Sequence, residues 1–116
     1  METKKQIVQG FTKQENSPIA KAIRYYKLLS AINDLSLTER EIQLIAFTAI
    51  KGNISYSTNR DEFCKEYGSS SATINNMISK LKPAGVLIKE SGKIKVNPLI
   101  LHDFNDNLII QVKING

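Results

Sequence analysis

The chain has 116 residues and a net charge of +5, and its 41% hydrophobic content predicts one folded domain and excludes wholesale disorder. Its single cysteine excludes an internal disulfide and a cysteine-rich zinc site, which fits a reducing, intracellular setting. The apolar run Ile42–Ile50 is far too short to cross a bilayer and no secretory signal is visible, so we expect no membrane partner.

The first predicted helix follows a segment without periodicity, and we expect a flexible N-terminal arm over residues 1–16. Ser17 and Pro18 predict a helix start, because serine caps the first turn and proline at the first position misses no hydrogen bond. Helical spacing continues to about Ile32, within a segment that we bound as 17–36. The apolar stripe of this helix is Ile19, Ala20, Ile23, Tyr26 and Leu29. It either closes the monomer's own core or forms a homodimer interface.

The second helix is predicted from a capping box, in which Thr38 caps the helix and the Glu41 side chain bonds back to the Thr38 amide. A lysine and then Gly52 predict its end, because glycine readily takes the left-handed conformation of a C-terminal cap. We expect this helix to bury Ile42, Ile45, Ala46, Ala49 and Ile50.

A third and a fourth helix follow. The third is predicted to begin at Thr58 or Asn59 and to end before a glycine. Serines at 69–71 are expected to cap the fourth helix, which runs to about Lys82. Pro83 lacks an amide donor and disfavours helical geometry in the residue before it, so the helix ends there.

The two helices have the features of a helix pair joined by a tight turn. Gly68 supplies the turn, and Cys64 is small enough to lie on the inner face as a core residue. The fourth helix carries an apolar stripe, formed by Ile74, Met77, Ile78 and Leu81. Its other side bears serines and asparagines instead of the usual charged residues, although asparagine has mediocre helix propensity.

The last predicted elements are extended. Two β-rich runs flank a Ser-Gly pair, which predicts a hairpin with strands over 86–90 and 93–97. Pro98 ends the second strand. In the C-terminal extension 99–116, apolar and polar residues alternate from Leu108 onward, which predicts one more strand.

Residues 37–98, through "LTEREIQLI", "SSSATINNMISKLKPAGVL" and "GKIKVNP", resemble a winged helix-turn-helix domain of small bacterial and phage transcriptional regulators or replication initiators. The resemblance implies an α+β, mostly helical fold with an extra N-terminal helix and a C-terminal strand-like tail. It also implies a recognition helix over 71–82 in the major groove of double-stranded DNA and a wing over 88–95 on its backbone. The implied location is the cytoplasm of a bacterial cell or a phage-infected host.

The resemblance also implies the DNA-binding residues. On the recognition helix they are Ser70, Ser71, Thr73, Asn75, Asn76 and Ser79, whose small or amide side chains suit base edges. Five lysines are expected to meet phosphates: Lys80, Lys82, Lys89, Lys93 and Lys95. Since no arginine lies among the outward residues, we expect weak or A·T-leaning sequence preference. Helix capping, surface asparagines without a partner and solvation of a hairpin are the alternative interpretations.

No motif indicates catalysis, because the chain has no glycine-rich phosphate loop, no nucleophile with an evident base and no metal-ligand cluster. We therefore expect no enzyme activity, no cofactor and no metal, and we interpret the lone His102 as a tail residue. The favoured hypothesis is a transcriptional regulator that binds duplex DNA. Alternatives are a replication-initiation-associated DNA binder, or a protein–protein adaptor or virion-associated structural component whose partner binds the terminal segments.

Overall fold

The structure, a computed structural model, describes residues 17–107; the predicted arm at 1–16 and the predicted strand from Leu108 lie outside this range. Within residues 17–107, four helices precede a two-stranded antiparallel sheet, so the α+β, mostly helical class is confirmed. The elements are α1 Pro18–Asn33, α2 Glu39–Lys51, α3 Ser57–Tyr67, α4 Ser71–Leu81, β1 Leu87–Glu90 and β2 Lys93–Val96. Within 17–107, none of the helices has the length and apolar character that spanning a bilayer requires.

Local side-chain caps set the starts of three helices. Ser17, Thr38 and Ser70 each accept a hydrogen bond from a backbone N–H in the first turn, as predicted. The capping box at the start of α2 is complete, because the Glu41 carboxylate also accepts from the Thr38 N–H. α3 begins at Ser57, one residue before the predicted range, and its N-cap residue Tyr56 makes no side-chain cap hydrogen bond.

α2 lies at the centre of the apolar core, where α1, α3 and β2 pack against it. Its buried residues are Glu41, Ile42, Leu44, Ile45, Ala46, Phe47 and Thr48. The buried face is wider than one helical stripe, because neighbouring elements cover α2 on several sides. Towards the end of the helix this cover is lost. Ala49 is only half-buried and Ile50 is 39% exposed, so the prediction that Ile50 is buried is wrong.

α3 and α4 are joined by a turn in which Gly68 has a φ of 62°, the left-handed conformation predicted for it. The inner face of α3 is formed by Phe63, which is fully buried and packs edge-on against Phe47 with ring centroids 5.4 Å apart. Cys64 is half-buried and packs against the core, as its prediction as a small core residue requires in part. The buried stripe of α4 is confirmed at Ile74, Met77 and Leu81, and Ile78 is half-buried.

The hairpin turns at Ser91 and Gly92, which have φ values of 53° and 76°. Two consecutive positive φ angles are typical of the tight turns whose twist matches an antiparallel strand pair. The strands are shorter than predicted by one residue at their outer ends, and Leu87 pairs with Val96 at that end.

The segment between α2 and α3 attaches to the free edge of β2. The Ile54 N–H donates to the Ile94 carbonyl at 3.0 Å, and the Ile94 N–H donates to the Ser55 Oγ at 2.7 Å. Ile54 is fully buried. These hydrogen bonds fix the hairpin against the connection that leads into α3.

Residues 98–107, which we call the C-terminal strap, begin with a 3-10 turn at Pro98–Ile100 and cross α1. The buried Tyr26 hydroxyl donates to the Ile100 carbonyl at 2.7 Å, and burial raises the pKa of Tyr26 well above its usual value. Phe104 is 2% exposed and packs against Tyr26 with ring centroids 5.8 Å apart. Together with Ala22, these contacts make α1 part of the monomer's own core.

Replacing Phe104 by alanine is expected to lower the free energy of unfolding by about 3 kcal/mol, because it empties a buried aromatic site. The exposed Leu99, in the same strap, is the matched control, and Leu99→Ala should change stability by no more than about 0.5 kcal/mol. Urea denaturation of both variants measures this. Equal stabilities would contradict the burial of the strap.

Candidate nucleic-acid interface

The side of α4 that faces away from the core is exposed along the helix. We call it the α4 outer face, and it consists of Ser70, Ser71, Thr73, Asn75, Asn76 and Ser79, all exposed. Because Ile74, Met77 and Leu81 are buried, the helical period forces these side chains outward. The exposure of this face agrees with the sequence-based interpretation, and its contact with DNA stays a prediction.

Part of the α4 outer face is occupied by capping. The Ser70 Oγ accepts from the Thr73 N–H at 3.2 Å and lies 2.9 Å from the Thr73 hydroxyl. Ser70 therefore has the capping role that was its alternative interpretation. The side chains of Ser71, Asn76 and Ser79 have no hydrogen-bond partner within residues 17–107 and are free to bind a ligand.

Lys80, predicted to contact phosphate, has an acidic partner in the structure. Its Nζ lies 2.9 Å from the Oε1 of Glu41, whose side chain is 8% exposed. Burial acts to raise the pKa of Glu41, but the hydrogen bonds from Lys80 and from the Thr38 N–H outweigh it, so this pKa lies below its usual value. A carboxylate in the first turn of α2 thus holds the last turns of α4.

Three of the five predicted phosphate-binding lysines have no acidic partner within residues 17–107: Lys82, Lys89 and Lys93. Lys82 is the C-terminal cap of α4, and both it and Lys89 are exposed. Lys95 lies 3.3 Å from the Glu90 carboxylate, which is 57% exposed. Such a surface pair is weak, so it leaves Lys95 able to exchange partners.

Lys93 connects the hairpin to the start of α3. Its ammonium group lies 4.9 Å from the centroid of the Tyr56 ring, a cation–π contact that leaves the positive charge unneutralised. Tyr56 is 49% exposed, and its N–H donates to the Oδ1 of the buried Asn53 at 3.0 Å. An exposed aromatic ring and a cation without an acidic partner within residues 17–107 therefore lie next to each other. A hydrogen bond to Asn53 fixes the backbone at Tyr56.

Arg60 lies one helical turn after Tyr56, where its N–H donates to the Tyr56 carbonyl. Its guanidinium Nη2 donates to the Asn75 Oδ1 and lies 3.5 Å from the Ser71 carbonyl. α3 therefore brings an arginine to the α4 outer face, although none lies on α4 itself. Arg60 and Tyr56 were not among the site residues predicted from the sequence, since neither lies on α4 or on the hairpin. The available signal was the spacing, because Arg60 lies three residues before Phe63 and residues three apart lie on the same side of a helix.

Within residues 17–107, His, Cys, Asp and Glu side chains form no group of three that could hold a metal ion. His102, interpreted as a lone tail residue, has its Nε2 2.8 Å from the Tyr25 hydroxyl and packs edge-on to that ring.

Comparison with protein-family models, with curated proteins and with solved structures found no match for this chain.

Replacing Glu41 by glutamine is expected to cost about 1 kcal/mol at pH 7, because the ion pair with the half-exposed Lys80 is lost while the cap to Thr38 is kept. The folded-state pKa of Glu41 is lowered, so its contribution is fully present above the unfolded-state value of about 4.3 and is lost as the pH falls through the folded pKa. Wild type and Glu41→Gln should therefore converge in acid.

Urea denaturation from pH 7 down to about pH 3 measures this convergence. Glu39→Gln is the matched control, because Glu39 is also in the first turn of α2 but is 63% exposed in its pair with Lys27. A constant difference between wild type and Glu41→Gln at all pH values would contradict the assignment.

Proposed function

We propose that this chain is a winged helix-turn-helix protein that binds duplex DNA, with α4 in the major groove and the hairpin along the phosphate backbone. The observation that carries the proposal is the α4 outer face, a row of exposed small and amide side chains with cations at its margin. Small side chains let the helix backbone approach the base edges closely. Asparagine and serine can then bond to those edges.

The order of elements supports this proposal. Two helices meet at the Gly68 turn, and a cation-bearing hairpin follows α4 directly. The hydrogen bonds of Ile54 and Ser55 with Ile94 hold the hairpin to the connection before α3. Hairpin and helix pair therefore form one rigid unit, as simultaneous contact with a groove and with the flanking phosphates requires.

The distribution of paired and unpaired cations refines the proposed contacts. Glu41 holds Lys80, so we assign Lys80 to positioning α4 instead of contacting phosphate. Lys82, Lys89 and Lys93 have no acidic partner within residues 17–107, and together with the weakly paired Lys95 they are the proposed phosphate-facing charges. Each phosphate contact releases condensed counterions from the duplex, so affinity depends on salt.

We expect the protein to bind random-sequence duplex DNA, with the logarithm of affinity falling against the logarithm of salt concentration at a slope of roughly −4 for four phosphate contacts. Fluorescence anisotropy of a labelled duplex between about 50 and 200 mM salt measures the slope. Absence of salt-dependent binding would contradict the proposal and would favour the protein–protein adaptor.

The two classes of proposed contact should respond differently to mutation. Asn76→Ala is expected to weaken a preferred site by about 1–3 kcal/mol and to leave random duplexes unaffected, because Asn76 is assigned to a base edge. Lys93→Ala should weaken all duplexes alike and reduce the salt slope by about one. Titration of each variant with a selected and a scrambled duplex separates the outcomes; equal losses on both duplexes for Asn76→Ala would refute its role in base reading.

A further inference from the structure

We infer that Arg60 and Asn75 act as one base-reading unit, in which Arg60 occupies the amide oxygen of Asn75 and directs the pair towards guanine. The inference rests on the proposed DNA-binding function and adds a specificity-determining residue from α3. It also revises the expectation of a uniformly A·T-leaning preference, which assumed that no arginine reaches the α4 outer face.

The amide of Asn75 is only partly available to a base. An asparagine reads adenine with both halves of its amide, because Nδ2 donates to the base N7 and Oδ1 accepts from the base N6 amino group. In this structure the Asn75 Oδ1 accepts from the Arg60 guanidinium. A second lone pair remains on Oδ1, but the adjacent cationic donors of Arg60 repel an approaching amino group. The donors on Nδ2 therefore become the available half of Asn75.

Arg60 adds further hydrogen-bond donors beside the amide of Asn75. A guanidinium carries five N–H groups in a planar fork and has no acceptor. Only Nη2 has partners within residues 17–107, namely Asn75 and the Ser71 carbonyl. The remaining donors of Arg60 and those of Asn75 form a group that can only donate. Guanine presents two acceptors, O6 and N7, at its major-groove edge, whereas adenine and cytosine each present an amino donor.

The packing of α3 and α4 places the unit. Phe63, three residues after Arg60, is fully buried in the same core cluster as Ile74, the neighbour of Asn75, so the backbone at Arg60 has a fixed position relative to Asn75. The neighbouring Asn76 has no hydrogen-bond partner within residues 17–107 and keeps both halves of its amide. Two adjacent asparagines are therefore expected to read different bases, guanine for Asn75 and adenine for Asn76.

The test is selection of bound duplexes from a random pool for wild type, Arg60→Ala and Arg60→Lys. Wild type should enrich a motif with guanine at one position. In Arg60→Ala the guanine-over-adenine ratio at that position should fall by about tenfold or more, because Asn75 is released to read adenine, while other positions stay unchanged. Arg60→Lys should lose less of this ratio, because an ammonium group can still donate to guanine but lacks the planar fork of the guanidinium. Arg60→Lys keeps the charge, so its salt slope should match wild type, which separates base reading from phosphate attraction.

The double variant Arg60→Ala with Asn75→Ala is the matched control. It should lose the guanine preference without gaining adenine, which assigns the adenine of the single variant to Asn75. Thermal melts confirm that each variant is folded. An unchanged motif in Arg60→Ala, with affinity lowered equally for all sequences or not lowered, would overturn the inference but keep the proposed function. Failure of wild type to bind duplex DNA would overturn both.

Discussion

The burial of one side of α4 is the constraint on which the candidate interface depends. Ile74, Met77 and Leu81 each transfer an apolar side chain into the core, worth about 1.5–3 kcal/mol apiece. Because of the helical period, Asn75 and Asn76 then lie on the opposite, solvent-exposed side of α4. Rotating α4 to hide the amides would expose the apolar stripe and bury polar groups without partners, so the exposed row follows from core packing.

The candidate interface is assembled from three elements that meet at α3. Tyr56, the N-cap residue of α3, contacts Lys93 of the hairpin, and Arg60 in the first turn contacts Asn75 of α4. A second fixed point is the Glu41–Lys80 pair, which holds the far end of α4 to the start of α2. Cations and amides therefore share a frame set by the core, and their relative positions do not depend on exposed loops.

Features set by local sequence were predictable, and those set by distant contacts were not. The caps at Thr38 and Ser70 and the Ser-Gly hairpin turn follow from residues within one turn of each other, and all were predicted. Spacing cannot show which element covers a given side chain. For this reason Ile50 was wrongly predicted to be buried. The contacts of Lys80 with Glu41 and of Arg60 with Asn75, which join residues 39 and 15 positions apart, were not predicted.

The most direct test of the central claim, that the α4 outer face is the surface that contacts DNA, is chemical-shift mapping of ¹⁵N-labelled protein titrated with a short duplex. We expect the largest amide shifts on residues 70–79, on the first turns of α3 and on the hairpin at 89–95. Shifts confined to α1 and the C-terminal strap, with α4 unaffected at saturation, would contradict it.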